Sequence, residues 1–148
     1  MVITMTKSES ITEKAMVDIF MDSKRFTSSV LFPEVPVYSR CVDLVVYNQK
    51  KKLISAVEFK KTKWKAAIDQ ALKVSTCFDF IEICVLEPVR NSSKQKMIET
   101  CKQLGIGLYY LDPIRKSVKK VVLPTRIQNI WKKQKQDAIQ YLDGRLKG

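Results

Sequence analysis

The feature that most constrains this fold is a pair of apolar segments, residues 40–47 and 53–60, separated by a short lysine-rich turn. Strand alternation divides the side chains of the first segment between two faces: Cys41, Asp43, Val45 and Tyr47 on one, and Val42, Leu44 and Val46 on the other. Because both faces are mostly apolar, this strand belongs in the interior of a sheet that is covered on both sides. The sequence therefore predicts a central β-hairpin.

Two acidic residues interrupt this apolar hairpin. A turn centred between Lys50 and Lys51 pairs Asp43 directly with Glu58, with Cβ atoms about 4.5–5.5 Å apart. Two carboxylates at that distance in a covered sheet repel each other unless a cation lies between them. A hard divalent metal held by carboxylates and a backbone carbonyl removes the conflict, and Lys60 adds a positive charge on the face of Glu58. The alternative is a coincidental polar pair at a strand end, with Lys60 neutralising Glu58.

The rest of the chain predicts alternating helices and strands in one domain, residues 1–148. Apolar periodicity predicts helices over residues 10–22, 65–78, 93–104 and 125–142, and strands over 80–86, 106–111 and 119–123. Residues 23–38 are predicted to be mostly irregular because Pro33 and Pro36 interrupt them, although a short edge strand fits there. Ser10 and Glu13 have the spacing of a capping box at the first helix.

The positive charge of the chain is concentrated rather than scattered. The formal net charge is +12, and residues 50–65 carry seven lysines against one glutamate. Residues 113–148, a basic C-terminal extension, carry ten basic against two acidic residues. Concentrated positive charge favours a polyanionic partner such as nucleic acid or an anionic membrane surface, and the second is the weaker candidate because no predicted helix joins a large apolar face cleanly to a basic one. The chain has no histidine, which excludes Ser-His-Asp and Cys-His catalysis and zinc sites that need imidazole.

The cysteines and the apolar runs bear on the cellular compartment. Four cysteines occur without a CxxC pair, which predicts buried, reduced thiols in a cytoplasmic protein and no zinc site: Cys41, Cys77, Cys84 and Cys101. The first residues do not read as a signal peptide, and no apolar run approaches the ~18 residues of a membrane span. We therefore expect no membrane partner.

The segment RCVDLVVYNQKKKLISAVEFKKTKWKAAIDQAL resembles the core of the PD-(D/E)XK nuclease superfamily. The order of the predicted elements itself indicates an α/β fold with a central mixed sheet of four to five strands flanked by helices, plus a C-terminal amphipathic helix. The resemblance implies a restriction-endonuclease-like αβββαβ core over about residues 10–112. The first core strand of the family then falls within residues 26–38. Val42 stands where the motif has Pro, and Val74 where a related QxxxY pattern has Tyr.

The resemblance also implies a function, that of a divalent-metal-dependent nuclease acting on DNA with Mg²⁺ or Mn²⁺. Asp43 and Glu58 match the acidic metal ligands of the motif, with the backbone carbonyl of Phe59 as a further ligand, and Lys60 matches its lysine. Two more catalytic positions match less distinctive family residues, namely Glu13 on the first helix and Gln70 on the helix after the motif. Glu13 is alternatively a capping residue, and Gln70 a surface or packing amide.

Basic residues follow the motif directly and make a candidate nucleic-acid surface: Lys61, Lys63, Trp64 and Lys65, with Lys50, Lys51 and Lys52 at the hairpin tip. Trp64 either stacks on a base or packs as an apolar anchor, and the tip is alternatively a solvated turn. The last helix carries three lysines opposite its apolar stripe, which suits a docked helix, a homodimer contact or a DNA-tracking arm: Lys132, Lys133 and Lys135.

Two other functions remain open from the sequence. The first is a non-catalytic nucleic-acid-binding or regulatory module on the same fold, which has no need of the Asp43, Glu58 and Lys60 set. The second is a structure-specific, junction-resolving nuclease, which needs a dimer with two paired sites.

Overall fold

The computed structural model describes residues 11–23 and 28–147. Its helices are α1 (Glu13–Met21), α2 (Trp64–Lys73), α3 (Asn91–Leu104) and α4 (Lys132–Lys147), with a 3₁₀ turn at Ser75–Cys77. Its strands are β1 (Val30–Val37), β2 (Arg40–Asn48), β3 (Leu53–Phe59), β4 (Phe80–Leu86), β5 (Gly107–Asp112) and β6 (Ser117–Val122).

All six of these strands form one mixed sheet, in the order β1-β2-β3-β4-β5-β6. The first three strands are antiparallel, β3, β4 and β5 run parallel, and β6 is antiparallel to β5. Parallel neighbours need crossover connections, which α2 and α3 supply. The predicted mixed α/β fold with the order αβββαβ is confirmed, and the sheet is larger than the four to five strands expected.

Apolar side chains cover the central strands on both faces, as the sequence predicts. One cluster joins the sheet to α2, α3 and α4, with members such as Val45, Ile54, Ala67, Met97 and Leu142. The other joins it to α1, with members such as Met16, Phe20, Leu44, Phe59 and Tyr109. The sheet is therefore the middle layer of the molecule.

A full edge strand occupies the region predicted to be mostly irregular. β1 contains Pro33 and Pro36, which an edge strand tolerates because one of its sides has no partner strand. Glu34 has a φ of 52°, and the ladder with β2 skips it between the pairs Pro33↔Leu44 and Val35↔Val42. The hairpin bends at this point.

The bend interrupts the side-chain alternation in both strands. Phe32 and Val35 lie in the same cluster, although strict alternation would put them on opposite faces. In β2, Val42 lies in the cluster of Val45, and the prediction that it shares a face with Leu44 is wrong. Residues 34–43 form a bent segment, called the hairpin arm below, that packs on the α2 side of the sheet.

Several helix boundaries differ from the prediction, and three of them have a clear local cause. Thr12 caps α1 by accepting a hydrogen bond from the Ala15 N–H at 3.0 Å, so Glu13 is the first helical residue. The predicted capping box of Ser10 and Glu13 is therefore wrong, and Ser10 itself lies outside the described residues. α2 ends at Lys73 because Val74, with a φ of −109°, starts the 3₁₀ turn. α4 begins seven residues later than the predicted 125 because residues 123–131 cross the sheet end in non-helical form.

Three of the four cysteines are buried as free thiols, and Cys41 is exposed, contrary to the prediction for it. It lies on the hairpin arm, where the bend turns it away from the core. Within the described ranges, no helix is long and apolar enough to cross a bilayer.

Candidate active site

Asp43 and Glu58 meet where β2 leaves β3. The antiparallel ladder has the predicted register and ends with the pair Leu44↔Val57, one position short of Asp43 and Glu58. The main-chain N–H of Phe59 donates to Asp43 Oδ2 at 2.8 Å instead of to a main-chain carbonyl. Because of the bend in the hairpin arm, the Asp43 carboxylate takes the place of a main-chain carbonyl as the acceptor at this position of the β2–β3 ladder. We call Asp43, Glu58 and Phe59 together the Asp43–Glu58 site.

The Glu58 carboxyl is buried beside Asp43, and its residue is only 3% exposed. Burial raises its pKa to about 8, and the charge of Asp43 and a hydrogen bond with Asp43 add to this effect. Lys60 partly offsets the rise in pKa, because its positive charge favours the ionised form of the same carboxyl. The Glu58 carboxyl therefore keeps its proton near neutral pH, at a position where a cation would relieve the repulsion between two carboxylates.

The residues of the Asp43–Glu58 site suit a hard divalent metal. The N–H and C=O of a strand residue point to the same side, so the Phe59 carbonyl faces β2 together with its N–H. Two carboxylates and a carbonyl are oxygen ligands of the type that Mg²⁺ prefers, with water and substrate phosphate completing its shell. No group of three or more His, Cys, Asp or Glu side chains suited to a metal occurs in the described residues. Any metal here would rest on this pair and the main chain.

Lys60 links the site to the first helix. Its side chain is 25% exposed, and Nζ lies 3.9 Å from Oε1 of Glu13. Glu13 is 46% exposed as the first residue of α1. The structure therefore brings Glu13 to Lys60 at the rim of the site.

Gln70 lies apart from this group. The buried residues of α2 are Ala67, Ile68 and Ala71, while Gln70 is exposed. Among the described residues, no hydrogen bond joins Gln70 to the Asp43–Glu58 site.

The basic residues after β3 lie at the same sheet end as the site. Lys63 and Lys65 are exposed, and Lys61 is half-buried. Trp64 is partly buried against the core, and Lys65 Nζ lies 5.5 Å from its ring centroid. Trp64 therefore anchors the start of α2 by packing, with Lys65 above its ring.

The hairpin-tip lysines lie at the other end of β2 and β3, roughly 17 Å from Asp43 at the rise of a strand. Lys52 is committed to the fold, because its Nζ contacts Asp143 of α4 at 3.3 Å and the Tyr47 hydroxyl at 3.1 Å. Lys50 and Lys51 are exposed.

The lysines of α4 differ from the prediction that all three lie opposite the apolar stripe of the helix. Lys135 turns inward to Asp79 at 2.8 Å, and Lys133 pairs with Asp137 on its own helix at 2.9 Å. Lys132 is exposed.

The sequence analysis assigned no role to Asp79 and Glu82, two carboxylates that are buried in the structure. Asp79, 1% exposed, accepts from the Ile54 N–H at 2.9 Å and from two cations. Glu82, 3% exposed, lies 3.3 Å from Lys120 Nζ. The available signal was an acidic residue inside or beside an apolar strand, in the run FDFIEICVL.

No family model matches the chain, and no curated protein is significantly similar to it. Among solved structures, it is similar to a protein of unknown function from Silicibacter pomeroyi, with a TM-score of 0.62 and 16% identity over 93% of this chain and 90% of that chain. It is also similar to a repair endonuclease from Pyrococcus abyssi, with a TM-score of 0.46 and 14% identity over 70% of this chain and 48% of that chain. The first likeness shows a shared fold over almost the whole of both chains.

Proposed function

We propose that this protein is a divalent-metal-dependent nuclease that hydrolyses phosphodiester bonds of DNA at the Asp43–Glu58 site. The observation that carries the proposal is the buried meeting of two carboxylates at the point where β2 leaves β3. Lys60 at the rim and the αβββαβ order of the surrounding elements support it further.

Asp43, Glu58 and the Phe59 carbonyl would hold Mg²⁺ or Mn²⁺. Such an ion, when bound, polarises a phosphoryl oxygen and lowers the pKa of a bound water. Lys60 supplies a fixed positive charge next to these carboxylates, where it orients the attacking water or stabilises negative charge on the phosphoryl group. Glu13 holds the Lys60 ammonium from the side of α1 and so limits the positions it samples.

The lysines after β3 give the substrate a path past the site. Lys61, Lys63 and Lys65 follow Lys60 within five residues, at the sheet end where the carboxylates lie. A phosphate backbone that contacts them passes the rim of the Asp43–Glu58 site.

Cleavage assays test this proposal. Labelled single-stranded and duplex DNA is incubated with Mg²⁺ or Mn²⁺ and the parent, Asp43→Asn, Glu58→Gln or Lys60→Ala proteins. The first two variants each lose a ligand, so we expect cleavage to fall about 100-fold or more, with DNA binding retained. Lys60→Ala loses turnover and keeps metal binding, and a chelator stops the parent enzyme.

Two results would count against the proposal. Cleavage that survives the chelator, or carboxylate variants that cut like the parent, would contradict the metal mechanism. A parent protein that binds DNA and cuts no substrate would instead support the non-catalytic nucleic-acid-binding module.

A further inference from the structure

A polar pocket of about 130 Å³ lies beside the hairpin arm. Its walls come from the β1–β2 turn, the C-terminal end of α2, the 3₁₀ turn and the start of α4. The polar residues that line it are Tyr38, Ser39, Arg40, Lys73, Thr76 and Gln134. Several water molecules, or one phosphate group, fit in such a volume.

The charged groups of this pocket are both cations. Arg40 and Lys73 line it, and no aspartate or glutamate of the described residues does. In the part of the chain that the structure describes, neither side chain makes an ion pair or a hydrogen bond. Two such cations around one pocket favour an anion, and a guanidinium matches the geometry of phosphate.

Gln134 adds neutral donors to the same pocket. Its Oε1 accepts from Thr76 Oγ1 at 2.6 Å and lies 3.5 Å from Cys77 Sγ. Its amide NH₂ therefore faces other partners, and it donates to no group among the described residues. Cationic and amide donors thus converge on a pocket whose described lining has no carboxylate to compete for them.

One residue of the pocket wall, Tyr38, contacts an acidic side chain, and the charge of that side chain is already balanced. Tyr38 donates its hydroxyl to Asp137 Oδ2 at 3.0 Å, and Lys133 Nζ lies 2.9 Å from Asp137 Oδ1. The first bond fastens the hairpin arm to α4 and fixes the pocket wall, and the second balances the charge of Asp137.

The pocket is near the Asp43–Glu58 site along β2. Arg40 precedes Asp43 by three residues, a distance of about 10 Å in an extended strand. A phosphate group that lies a few nucleotides from the bond at the Asp43–Glu58 site is therefore within reach of the pocket.

We propose that this pocket binds a backbone phosphate of the DNA, a few nucleotides from the bond at the Asp43–Glu58 site. The inference rests on the proposed function for its choice of ligand. Free inorganic phosphate presents the same chemistry, and the experiment distinguishes the two sources.

The test measures DNA binding in chelator, without cleavage. Arg40→Gln/Lys73→Gln is compared with Lys96→Gln/Lys102→Gln, which removes the same charge from exposed positions on α3. We expect the pocket double variant to lose affinity about 10-fold and its salt slope to fall by about 0.9, and the control double to lose less than about 2-fold. Equal losses in both double variants would overturn the proposal.

The second readout is the side-chain amide signal of Gln134 in a ¹⁵N-labelled parent, titrated with a short oligonucleotide or with inorganic phosphate. A shift with the oligonucleotide that disappears in Arg40→Gln/Lys73→Gln supports the proposal. A shift with inorganic phosphate alone overturns it in favour of a free-anion site.

The two proposals fail separately. A parent that shows the pocket effect but never cleaves with metal would refute the nuclease function and leave the pocket in place. A parent that cleaves, with the pocket double variant binding like the control double, would refute the pocket alone.

Discussion

A buried carboxylate lies beside each end of strand β3, and the protein surrounds the two carboxylates with different charges. Near its start, the main chain of Ile54 exchanges hydrogen bonds with Asp79. At its end, roughly 13 Å away at the rise of a strand, Glu58 meets Asp43.

Asp79 has every feature of a structural carboxylate. Lys135 and Arg126 lie 2.8 and 3.2 Å from its Oδ1, and its carbonyl accepts from the Ile127 N–H at 2.8 Å. It thereby fastens the segment before α4, and α4 itself, to the start of β3. A buried carboxylate that contacts two cations and accepts from one main-chain N–H needs no outside ligand.

Glu58 is opposite in character, because the group beside it is another carboxylate. Lys60 brings a positive charge close to it, and that lysine also faces Glu13. The two ends of β3 show that burial of a carboxylate does not by itself indicate a functional site. A functional site is indicated where a carboxylate is buried and the protein supplies too little positive charge to balance it.

We expect the largest loss of stability when Asp79, the structural carboxylate near the start of β3, is replaced. Asp79→Ala leaves Arg126 and Lys135 without their shared partner, so we expect the free energy of unfolding to fall by about 3–5 kcal/mol in urea titrations. Glu87→Ala is the matched control, because Glu87 is exposed and pairs with Lys94 at 2.7 Å; its loss should be below about 1 kcal/mol. Similar losses in the two variants would remove the distinction drawn for Asp79.

Glu58, at the other end of β3, should destabilise the fold as the pH rises. The folded-state pKa of Glu58, about 8, exceeds that of an unfolded glutamate, so the folded state binds more protons between about pH 5 and 8. Without metal, the unfolding free energy of the parent should fall across that window, on the order of 3 kcal/mol. In Glu58→Gln the decline should be absent. Parallel pH profiles for the two proteins would contradict the buried-pair interpretation.

The smallest effect compares lysines at the two ends of the β2–β3 hairpin. Replacing Lys61, Lys63 and Lys65 by Gln should lower the slope of log affinity against log salt by about 0.9 for each duplex phosphate that these lysines neutralise in the parent. Replacing Lys50 and Lys51 should leave the slope unchanged, because the tip lies at the far end from the site. A larger effect at the tip would place the DNA path elsewhere.

The sequence predicted the part of the site that depends on local pairing. The turn at Lys50 and Lys51 determines the register of β2 and β3, and hence that Asp43 and Glu58 meet. Alternation could not predict the bend at Asp43, because the bend depends on the positive φ of Glu34 across the neighbouring strand.

Long-range contacts account for most of what the sequence did not predict. Asp79 pairs with Arg126 and Lys135, which are 47 and 56 residues away, so neither pairing leaves a local pattern. The late start of α4 has the same origin, since the Ile127 and Trp131 N–H groups donate to carbonyls of Asp79 and Thr76 rather than within a helix. The prolines of β1 led to the prediction of an irregular segment, because a strand that contains them is possible only at a sheet edge.

The most direct test of the central claim is Mn²⁺ binding without DNA, measured by electron paramagnetic resonance of the free ion. We expect one Mn²⁺ site in the parent, which is lost in Asp43→Asn and in Glu58→Gln and retained in Asp79→Asn. Equal Mn²⁺ binding by the parent and Glu58→Gln, or loss of binding only in Asp79→Asn, would contradict it.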